Sequence, residues 1–464
     1  MKVLFINPRS KRPDEIQQKC FAPLGLLYLA ASLKKAGHSA EIIDANALRL
    51  SDDVVAEMVK RAAPDIVGIP LLSEIFFPTY ALVKRVKRAY PESRIVLGGV
   101  HASALPEKVL SEFRETDYIL RGEADESIVR LCDAIGKNGP LSGVRGLCYR
   151  QDGKTIVTEP DSPINNLDSL PHPAKELIED LYKKKRYYMV LMRPRPVDVI
   201  VTSRGCPFRC RFCCNISSSY RARSPEDVLE EITAIRSRGI KSLDIADANF
   251  TFDRARAMRI FELIIKERLK ISFRIKSRAD SIDEALVKKA KDAGAYLISL
   301  GMESGSQDLL ERMEKSATVD ENTSACRMVM KAGLKLNTGW IVGFPGETKE
   351  TVRETAAMIV RIKPTTANIN ILVPYPGTAV YEEAKHDGSL VGDWSIEKSE
   401  TPWIRLPWTD SYKDLERAAQ YVRRRVYYRP SYIVNFAGEI IGNANMTLAR
   451  YALQESMRSL RRAR

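Results

Sequence analysis

The stretch 202–232, TSRGCPFRCRFCCNISSSYRARSPEDVLEEI, decides how the second half of this chain folds. It carries four of the chain's eight cysteines: Cys206, Cys210, Cys213 and Cys214. Clustered cysteines in a large chain favour a metal site over disulfides. The segment SPEDVLEEI that follows predicts a helix that begins at a proline. The cysteines therefore lie in a loop between a strand and a helix.

Six strand-and-helix units begin just before these cysteines. The predicted strands are residues 197–204, 241–247, 271–277, 295–303, 335–343 and 366–374. Six units are too few for an eight-stranded barrel, so we predict a partial, TIM-like (β/α)6 barrel over residues 191–385. Chemistry in such barrels lies at the carboxyl ends of the strands, where the cysteine loop begins.

Residues 1–135 alternate five short apolar strands with helices, beginning with KVLFIN. This pattern predicts an α/β domain with a doubly wound, Rossmann-like parallel sheet, which binds ligands beyond the carboxyl ends of its strands. The candidate binding residues at those ends are Asn7, Leu72, Ser73, Gly98, Gly99, His101, Gly122 and Glu123. We predict a hairpin and linker over residues 136–190 and a mainly helical C-terminal region over residues 386–464.

Composition narrows the function classes. The 464 residues are 44% apolar and 28% charged, as in globular proteins, and no apolar run approaches the ~18 residues of a membrane span. We expect a cytoplasmic protein. The formal charge of +14 is concentrated beyond residue 412, which allows peripheral contact with an anionic membrane. Basic residues there are not interleaved with aromatics, so a nucleic-acid partner is not expected.

The spacing of the cysteines helps to distinguish the kinds of metal site that they could form. Cys206, Cys210 and Cys213 form a C-x-x-x-C-x-x-C loop that can wrap three thiolates around one 4Fe–4S cluster and leave one iron open. Tetrahedral zinc is the alternative, because four cysteines are present. Adjacent Cys213 and Cys214 are poorly placed to bind one small ion together. A set of purely structural cysteines is the third possibility.

The segment GCPFRCRFC resembles the signature loop of the radical S-adenosylmethionine (SAM) enzymes. The resemblance implies that Cys206, Cys210 and Cys213 hold the cluster and that SAM chelates the open iron. One electron would then cleave SAM to methionine and a 5′-deoxyadenosyl radical. Phe212 would lie near the adenine.

Later segments are similar to the same family. SLDIADANF, GMESGSQDLLERMEK and GWIVGFPGET match its second, fourth and fifth strand ends. The SAM contacts that these matches imply are Asp247, Asn249, Glu303 and Gly343. Ordinary roles in capping, ion pairing and turns are the alternatives for these residues.

The N-terminal segments PLGLLYLAASLKKAGHSAEIIDA, GGVHASALPEKV and YILRGEADES are similar to the cobalamin-binding subgroup of the family. The resemblance implies a cobalamin whose nucleotide tail lies in the sheet crevice, contacting the eight strand-end residues named above. The chain departs from the D-x-H-x-x-G motif that supplies a histidine cobalt ligand, because NPRSKRPDEIQQ contains no histidine. A vestigial domain that binds nothing is the alternative.

Four functions follow from these patterns. We favour a cobalamin-dependent methyltransferase acting on an unactivated carbon of a small biosynthetic intermediate, with an electron donor such as flavodoxin or ferredoxin. The second is a cyclase, dehydratase or carbon–carbon-bond-forming enzyme on the same scaffold. An RNA methylthiotransferase would need a second three-cysteine cluster, and the other cysteines are too dispersed. An electron-transfer protein would leave the SAM-like segments unexplained.

Overall fold

The structure is a computed structural model that describes residues 1–10, 19–214, 219–398, 400–429 and 432. Its strands are β1 Lys2–Asn7, β2 Lys19–Cys20, β3 Ser39–Asp44, β4 Ile66–Pro70, β5 Arg94–Gly98, β6 Tyr118–Leu120, β7 Leu147–Gln151, β8 Lys154–Val157, β9 Tyr188–Met189, β10 Val197–Ile200, β11 Ser203–Arg204, β12 Arg221–Ala222, β13 Ser242–Ile245, β14 Ser272–Arg278, β15 Ala295–Glu303, β16 Lys335–Val342, β17 Thr366–Ile371, β18 Leu390–Val391 and β19 Trp403–Ile404.

Helices connect most of these strands. They are α1 Leu24–Lys35, α2 Ala45–Leu48, α3 Asp52–Ala62, α4 Phe76–Ala89, α5 Val100–Ala104, α6 Pro106–Glu112, α7 Ser127–Gly136, α8 Glu179–Lys183, α9 Pro225–Ser237, α10 Arg254–Lys266, α11 Glu284–Asp292, α12 Gln307–Arg312, α13 Val319–Lys331, α14 Lys349–Ile362, α15 Ala379–His386 and α16 Tyr412–Tyr427. The predicted proline-started helix after the cysteines is α9, whose N-cap Ser224 accepts a hydrogen bond from the Asp227 amide.

The first sheet has the strand order β3-β1-β4-β5-β6-β7-β8. Its first five members are parallel, and the order of β3, β1, β4, β5 and β6 is that of a doubly wound fold whose direction switches between β1 and β4. The hairpin β7–β8, which turns at Asp152 and Gly153, adds two antiparallel strands to this sheet. The predicted doubly wound domain is confirmed.

The second sheet has six parallel strands in chain order, β10-β13-β14-β15-β16-β17. Because β17 does not pair with β10 in the described part of the chain, the barrel is open, as predicted. Alternation along β14 sends Phe273 and Ile275 outward, where Phe273 stacks on Phe261 of α10 at 5.9 Å. Arg274, Lys276 and Arg278 therefore point into the barrel.

The segment after β17 joins the two halves of the molecule. Tyr381 and Trp394 are buried in the core of the first sheet, although they follow the barrel in sequence. Within the described part of residues 387–411 the chain forms the short β18–β19 ribbon, and α16 then packs against α14 and β17. The rest of the predicted helical region, residues 433–464, lies outside the described residues. No helix within the described ranges is long and apolar enough to cross a membrane.

Candidate active site at the cysteine loop

A two-stranded ribbon closes the cysteine loop at its base. Ser203 and Arg204 of β11 pair antiparallel with Ala222 and Arg221 of β12. Asp247, at the end of β13, anchors this ribbon: its carboxylate accepts hydrogen bonds from the Thr202 amide at 2.6 Å, the Thr202 hydroxyl at 2.6 Å and the Ser203 hydroxyl at 2.7 Å. Buried acceptors of this kind hold backbone in one place. The loop is therefore fixed over the carboxyl end of the barrel.

The middle of the loop is tied to the barrel on both sides. The Arg211 amide donates to the Met313 carbonyl at 3.1 Å, and the Arg211 carbonyl accepts from the Val380 amide at 3.1 Å. Arg211 lies within a turn in which the Cys213 amide donates to the Cys210 carbonyl at 2.9 Å. The backbone around the second and third cysteines is thus set by tertiary contacts as well as by local sequence.

The cysteine thiols are close enough to influence one another. Burial raises the pKa of Cys213 to about 11, and charge on Cys210, Cys206 and Cys214 adds to that effect. Metal ligation requires deprotonation, so thiols with raised pKa values bind metal with release of protons. No three His, Cys, Asp or Glu side chains in the described ranges are arranged to hold one metal ion. A 4Fe–4S cluster is larger, and each thiolate binds a different iron.

Positive charge surrounds the buried side of the thiols. The Arg278 guanidinium donates to the Cys210 sulfur at 3.6 Å and stacks on the Phe208 ring at 3.7 Å. Burial raises the pKa of Cys210, whereas nearby Lys315 and Arg278 oppose the shift by favouring the thiolate. Cations that donate to the sulfur or lie beside it suit a site that must hold negatively charged sulfur.

Glu303 completes this environment. It ends β15 in the left-handed region, with φ of 63°, and its carboxylate accepts from the Lys315 ammonium at 2.8 Å. A non-glycine residue in this conformation is uncommon, and such strain concentrates at functional sites. Charge on Glu303 also raises the pKa of Cys210 and Cys213, so the structure brings it beside the cysteine loop.

The first sheet clamps the base of the same loop. Arg204 binds the Asp125 carboxylate with two hydrogen bonds, of 2.7 and 3.0 Å, and Arg221 donates to Glu123 at 3.0 and 2.5 Å. Glu123 and Asp125 follow β6, at the carboxyl end of the N-terminal sheet. The crevice edge of one domain therefore contacts the cysteine loop of the other directly.

Comparison with known proteins identifies a family model for each of the two domains. The family model described as Radical SAM superfamily matches residues 200–359, and the model of the B12 binding domain matches residues 18–131. An uncharacterized methyltransferase of Pyrococcus horikoshii is 32% identical over 414 residues, which cover 88% of each chain. This chain belongs to the radical SAM superfamily. The B12 binding domain places it in the group predicted from the sequence.

Two further relatives of this radical SAM enzyme are informative. The anaerobic magnesium-protoporphyrin IX monomethyl ester cyclase of Rubrivivax gelatinosus is 30% identical, over 91% of this chain and 77% of that protein. The structure of a radical SAM methyltransferase from Kitasatospora setae, solved with cobalamin and a 4Fe–4S cluster, superposes with a TM-score of 0.74. The two chains are 18% identical, and the superposition covers 90% of each. This similarity shows a shared fold.

The residues predicted to contact SAM in this radical SAM enzyme differ in their surroundings. Phe212 packs in an apolar cluster with Met313 and Phe344. Asn249 is buried, and its side chain forms hydrogen bonds with Ser281, Ser277 and the Arg278 amide. Asp247 accepts the hydrogen bonds that anchor the β11–β12 ribbon. Gly343 has a φ of 95°, and its amide donates to Glu347 at 2.5 Å. The side chains of Asp247 and Asn249 therefore both form hydrogen bonds within the protein.

The residues predicted to contact cobalamin all lie at the carboxyl edge of the first sheet. Leu72 is 38% exposed there, and Gly122, with φ of 75°, has no described atom within 4 Å of where a Cβ would stand. This open edge fits a ligand. Asn7 instead donates to Asp44 at 2.9 Å, and the buried His101 binds the Ser73 hydroxyl at 2.8 Å beneath Trp394. Gly98 ends β5, and Gly99 follows it as the N-cap residue of α5.

The sequence patterns did not single out the cations of this site. Arg204 and Arg221 flank the cysteine loop, Arg278 ends β14, and Lys315 follows α12. Their roles depend on partners far away in sequence. The only signal in the sequence was a charged residue at the end of a barrel strand, as at Arg278, which is where such barrels place functional groups.

Proposed function

We propose that this radical SAM enzyme is a cobalamin-dependent methyltransferase that cleaves SAM reductively and methylates an unactivated carbon of a small biosynthetic intermediate. The observation that carries the proposal is the direct clamp between the two cofactor-type domains, Glu123 and Asp125 on one side and Arg221 and Arg204 on the other. It keeps the carboxyl edge of the B12 binding domain at the base of the cysteine loop. Methyl transfer between two cofactors requires this proximity.

The chain's own residues would hold the cofactors. We assign Cys206, Cys210 and Cys213 to a 4Fe–4S cluster, with Glu303, Phe212, Asp247, Asn249 and Gly343 assigned toward SAM. When bound, the cluster supplies the electron that cleaves SAM, and cobalamin supplies a centre that accepts and delivers methyl groups. Arg278 and Lys315 favour the anionic form of the Cys210 sulfur, and the eight crevice residues are assigned to cobalamin.

A second candidate function is oxidative ring closure, because the Rubrivivax gelatinosus relative is named as a cyclase. Both functions share SAM cleavage and differ in the fate of the methyl group. The proposal also includes an external electron donor such as flavodoxin or ferredoxin and a cytoplasmic location. Contact of the basic C-terminus with an anionic membrane remains a hypothesis.

The test uses anaerobically reconstituted protein loaded with iron, sulfide and cobalamin. SAM labelled in its methyl group is added with a reductant, and 5′-deoxyadenosine and label on cobalamin are measured. A methyltransferase forms both, whereas a cyclase forms 5′-deoxyadenosine without labelled cobalamin. Absence of 5′-deoxyadenosine from fully loaded protein would refute the radical SAM chemistry.

Paired cysteine variants test the cluster ligands. Cys213→Ala is expected to abolish the thiolate-to-iron absorption, because it removes a ligand. Cys214→Ala is expected to leave this absorption intact, since its sulfur faces the Pro376 carbonyl at 3.7 Å. Equal loss of iron from the two variants would contradict the assignment of Cys214 as a non-ligand.

A further inference from the structure

A row of polar side chains crosses four adjacent strands inside the barrel. Backbone register places Lys276 of β14 beside Ser299 of β15, Ser299 beside Asn337 of β16, and Asn337 beside Thr366 of β17. We call these four residues the polar row. Alternation turns their apolar neighbours, such as Ile275 on β14, outward into the helix-facing core.

Hydrogen bonds fix the polar row in place. The Asn337 carbonyl oxygen accepts from the Thr366 hydroxyl at 2.7 Å, and the Asn337 amide donates to the Ser299 hydroxyl at 3.3 Å. Asn368 also donates to Asn337, at 3.2 Å. Because the Ser299 oxygen accepts here, its hydroxyl hydrogen is left to donate, and no acceptor for it lies in the described part of the chain.

The next level toward the cysteine loop is open on its β16 side. Register places Arg278, Gly301, Gly339 and Asn368 in a second row above the polar row. At Gly339 an added Cβ would approach only the Leu300 carbonyl, at 3.9 Å. At Gly301 an added Cβ would meet the Glu303 carboxylate and the Lys315 ammonium, so the open space lies over Asn337, beside this ion pair. Lys276 lies roughly 7 Å along β14 from Arg278, which contacts Cys210.

Lys276 brings a positive charge to this space without an acidic partner. Its ammonium donates to the Ala246 carbonyl at 3.2 Å, and no carboxylate in the described ranges forms an ion pair with it. Two carboxylates act on its charge: Asp244, which is paired with Arg274, and Asp247, which accepts hydrogen bonds from Thr202 and Ser203. Lys19 adds a further positive charge, so the three cations of this group outnumber its two carboxylates. A partly buried charge without a counter-ion is costly, and proteins keep such groups where a ligand supplies the opposite charge.

We infer that the polar row is a substrate subsite that binds an anionic group, a carboxylate or a phosphate, through the Lys276 ammonium and the Ser299 hydroxyl. This inference rests on the proposed function, because it takes the barrel interior below the cysteine loop as the substrate site. An anion at Lys276 would restore charge neutrality, and Asn337 orients the Ser299 donor. Burial lowers the pKa of Lys276, and a bound anion would raise it again.

The first test measures protection of single lysines in the reconstituted full-length protein. A water-soluble amine-acylating reagent is pulsed, and peptide mass spectrometry quantifies the modification of Lys276 and of Lys331, a control whose side chain is 79% exposed. Inorganic phosphate and acetate are compared with chloride at equal ionic strength. A probe at about three times its Kd protects its site about fourfold.

The outcomes separate the sources of the anion. Protection of Lys276 by phosphate alone indicates a phosphorylated substrate, and protection by acetate alone indicates a carboxylate. Lys331 is expected to react equally under all conditions. Lack of protection by either anion overturns the inference, as does equal protection by SAM alone, which would assign Lys276 to the cofactor.

A second test uses Lys276→Met, which keeps the length and apolar stem of the side chain. Phosphate or acetate is expected to raise the Tm of the wild type but not that of this variant. Without an anion the variant is expected to melt at or above the wild-type Tm, because an unbalanced charge is gone. A variant that melts well below the wild type would show that Lys276 is structural.

These tests need neither SAM cleavage nor cobalamin. Anion binding without formation of 5′-deoxyadenosine would leave the subsite in place and refute the proposed function. Formation of 5′-deoxyadenosine without anion binding would support the radical SAM chemistry and refute the subsite. The failures of the two proposals are therefore distinguishable.

Discussion

At the scale of single residues, the site combines buried charges that pair locally with charges whose partners are far away in sequence. Arg278 shows the consequence. It lies between the Cys210 sulfur, the Phe208 ring and the Asp280 carboxylate, which accepts from it at 2.7 Å. Hydrogen bonds to ligating sulfur tune the potential of iron–sulfur clusters.

We predict that Arg278→Gln lowers the reduction potential of the loaded cluster, because a cationic donor to sulfur favours the reduced, more negative state. A hydrogen bond to a charged group contributes about 1.5 kcal/mol, which corresponds to roughly 60 mV for one electron. Redox titration followed by electron paramagnetic resonance measures the shift. Arg254→Gln, which breaks an exposed pair with Asp283, is the matched control and should leave the potential unchanged.

Glu347 predicts a pH dependence of stability. Burial raises the pKa of this carboxyl from 4.5 to about 8, although the Gly343 amide opposes the shift. The folded chain then keeps a proton that the unfolded chain releases, so this contribution to stability is complete below about pH 4.5 and is lost as the pH rises toward about 8. Glu347→Gln should flatten the fall of Tm between pH 5 and pH 9, values that are approximate bounds of this window. Parallel Tm curves for the two proteins would contradict the raised pKa.

At the scale of elements, the β11–β12 ribbon connects the cysteine loop of the barrel to the carboxyl edge of the first sheet. It holds the cysteine loop at its base, and its two arginines reach across to the turn after β6. Arg204 and Asp125 are 18% and 5% exposed, so this pair is shielded from water and rigid. Removal of one partner from a buried ion pair leaves an uncompensated charge.

We predict that Asp125→Asn destabilises the protein by about 3 kcal/mol, because it leaves the Arg204 guanidinium buried without its bidentate partner. It should also reduce the iron bound per chain after reconstitution, although no cysteine changes. Denaturant unfolding and iron analysis provide the two readouts. Asp53→Asn removes a surface pair with Arg85, and this control should cost less than about 1 kcal/mol. Normal iron content in Asp125→Asn would show that the clamp does not position the loop.

At the scale of the whole molecule, the segment after β17 packs into the core of the first sheet. Trp394 donates to the Pro374 carbonyl at 2.9 Å and packs on His101 and Phe76, with ring centroids 5.3 and 6.0 Å away. The buried His101 beneath it, whose pKa burial lowers to about 4, is neutral at about pH 7. The C-terminal segment thus completes the N-terminal domain.

Trp394→Ala is expected to cost about 3–5 kcal/mol and to separate the melting of the two domains. Calorimetry should then show two transitions in place of the one expected for coupled domains. Trp403→Ala changes a partly exposed tryptophan on β19 and should lower Tm less without splitting the transition. A single transition in Trp394→Ala would mean that the ion-pair clamp alone couples the domains.

The sequence by itself determined the two-domain α/β architecture and the place of the cysteine loop, because both depend on short-range signals. Apolar runs of strand length and the helix-starting proline after the loop act over a few residues. The same locality explains why the family could be predicted from GCPFRCRFC.

Only the tertiary structure decided which polar residues meet. The resemblance to the family implied ligand contacts for Asp247 and His101, and the fold gives each a further partner that no local pattern predicts: Thr202 for Asp247 and Trp394 for His101. Arg204 and Asp125 are 79 residues apart, and the polar row from Lys276 to Thr366 exists only through strand register. Charge compensation and cross-strand alignment depend on distances that no local pattern encodes.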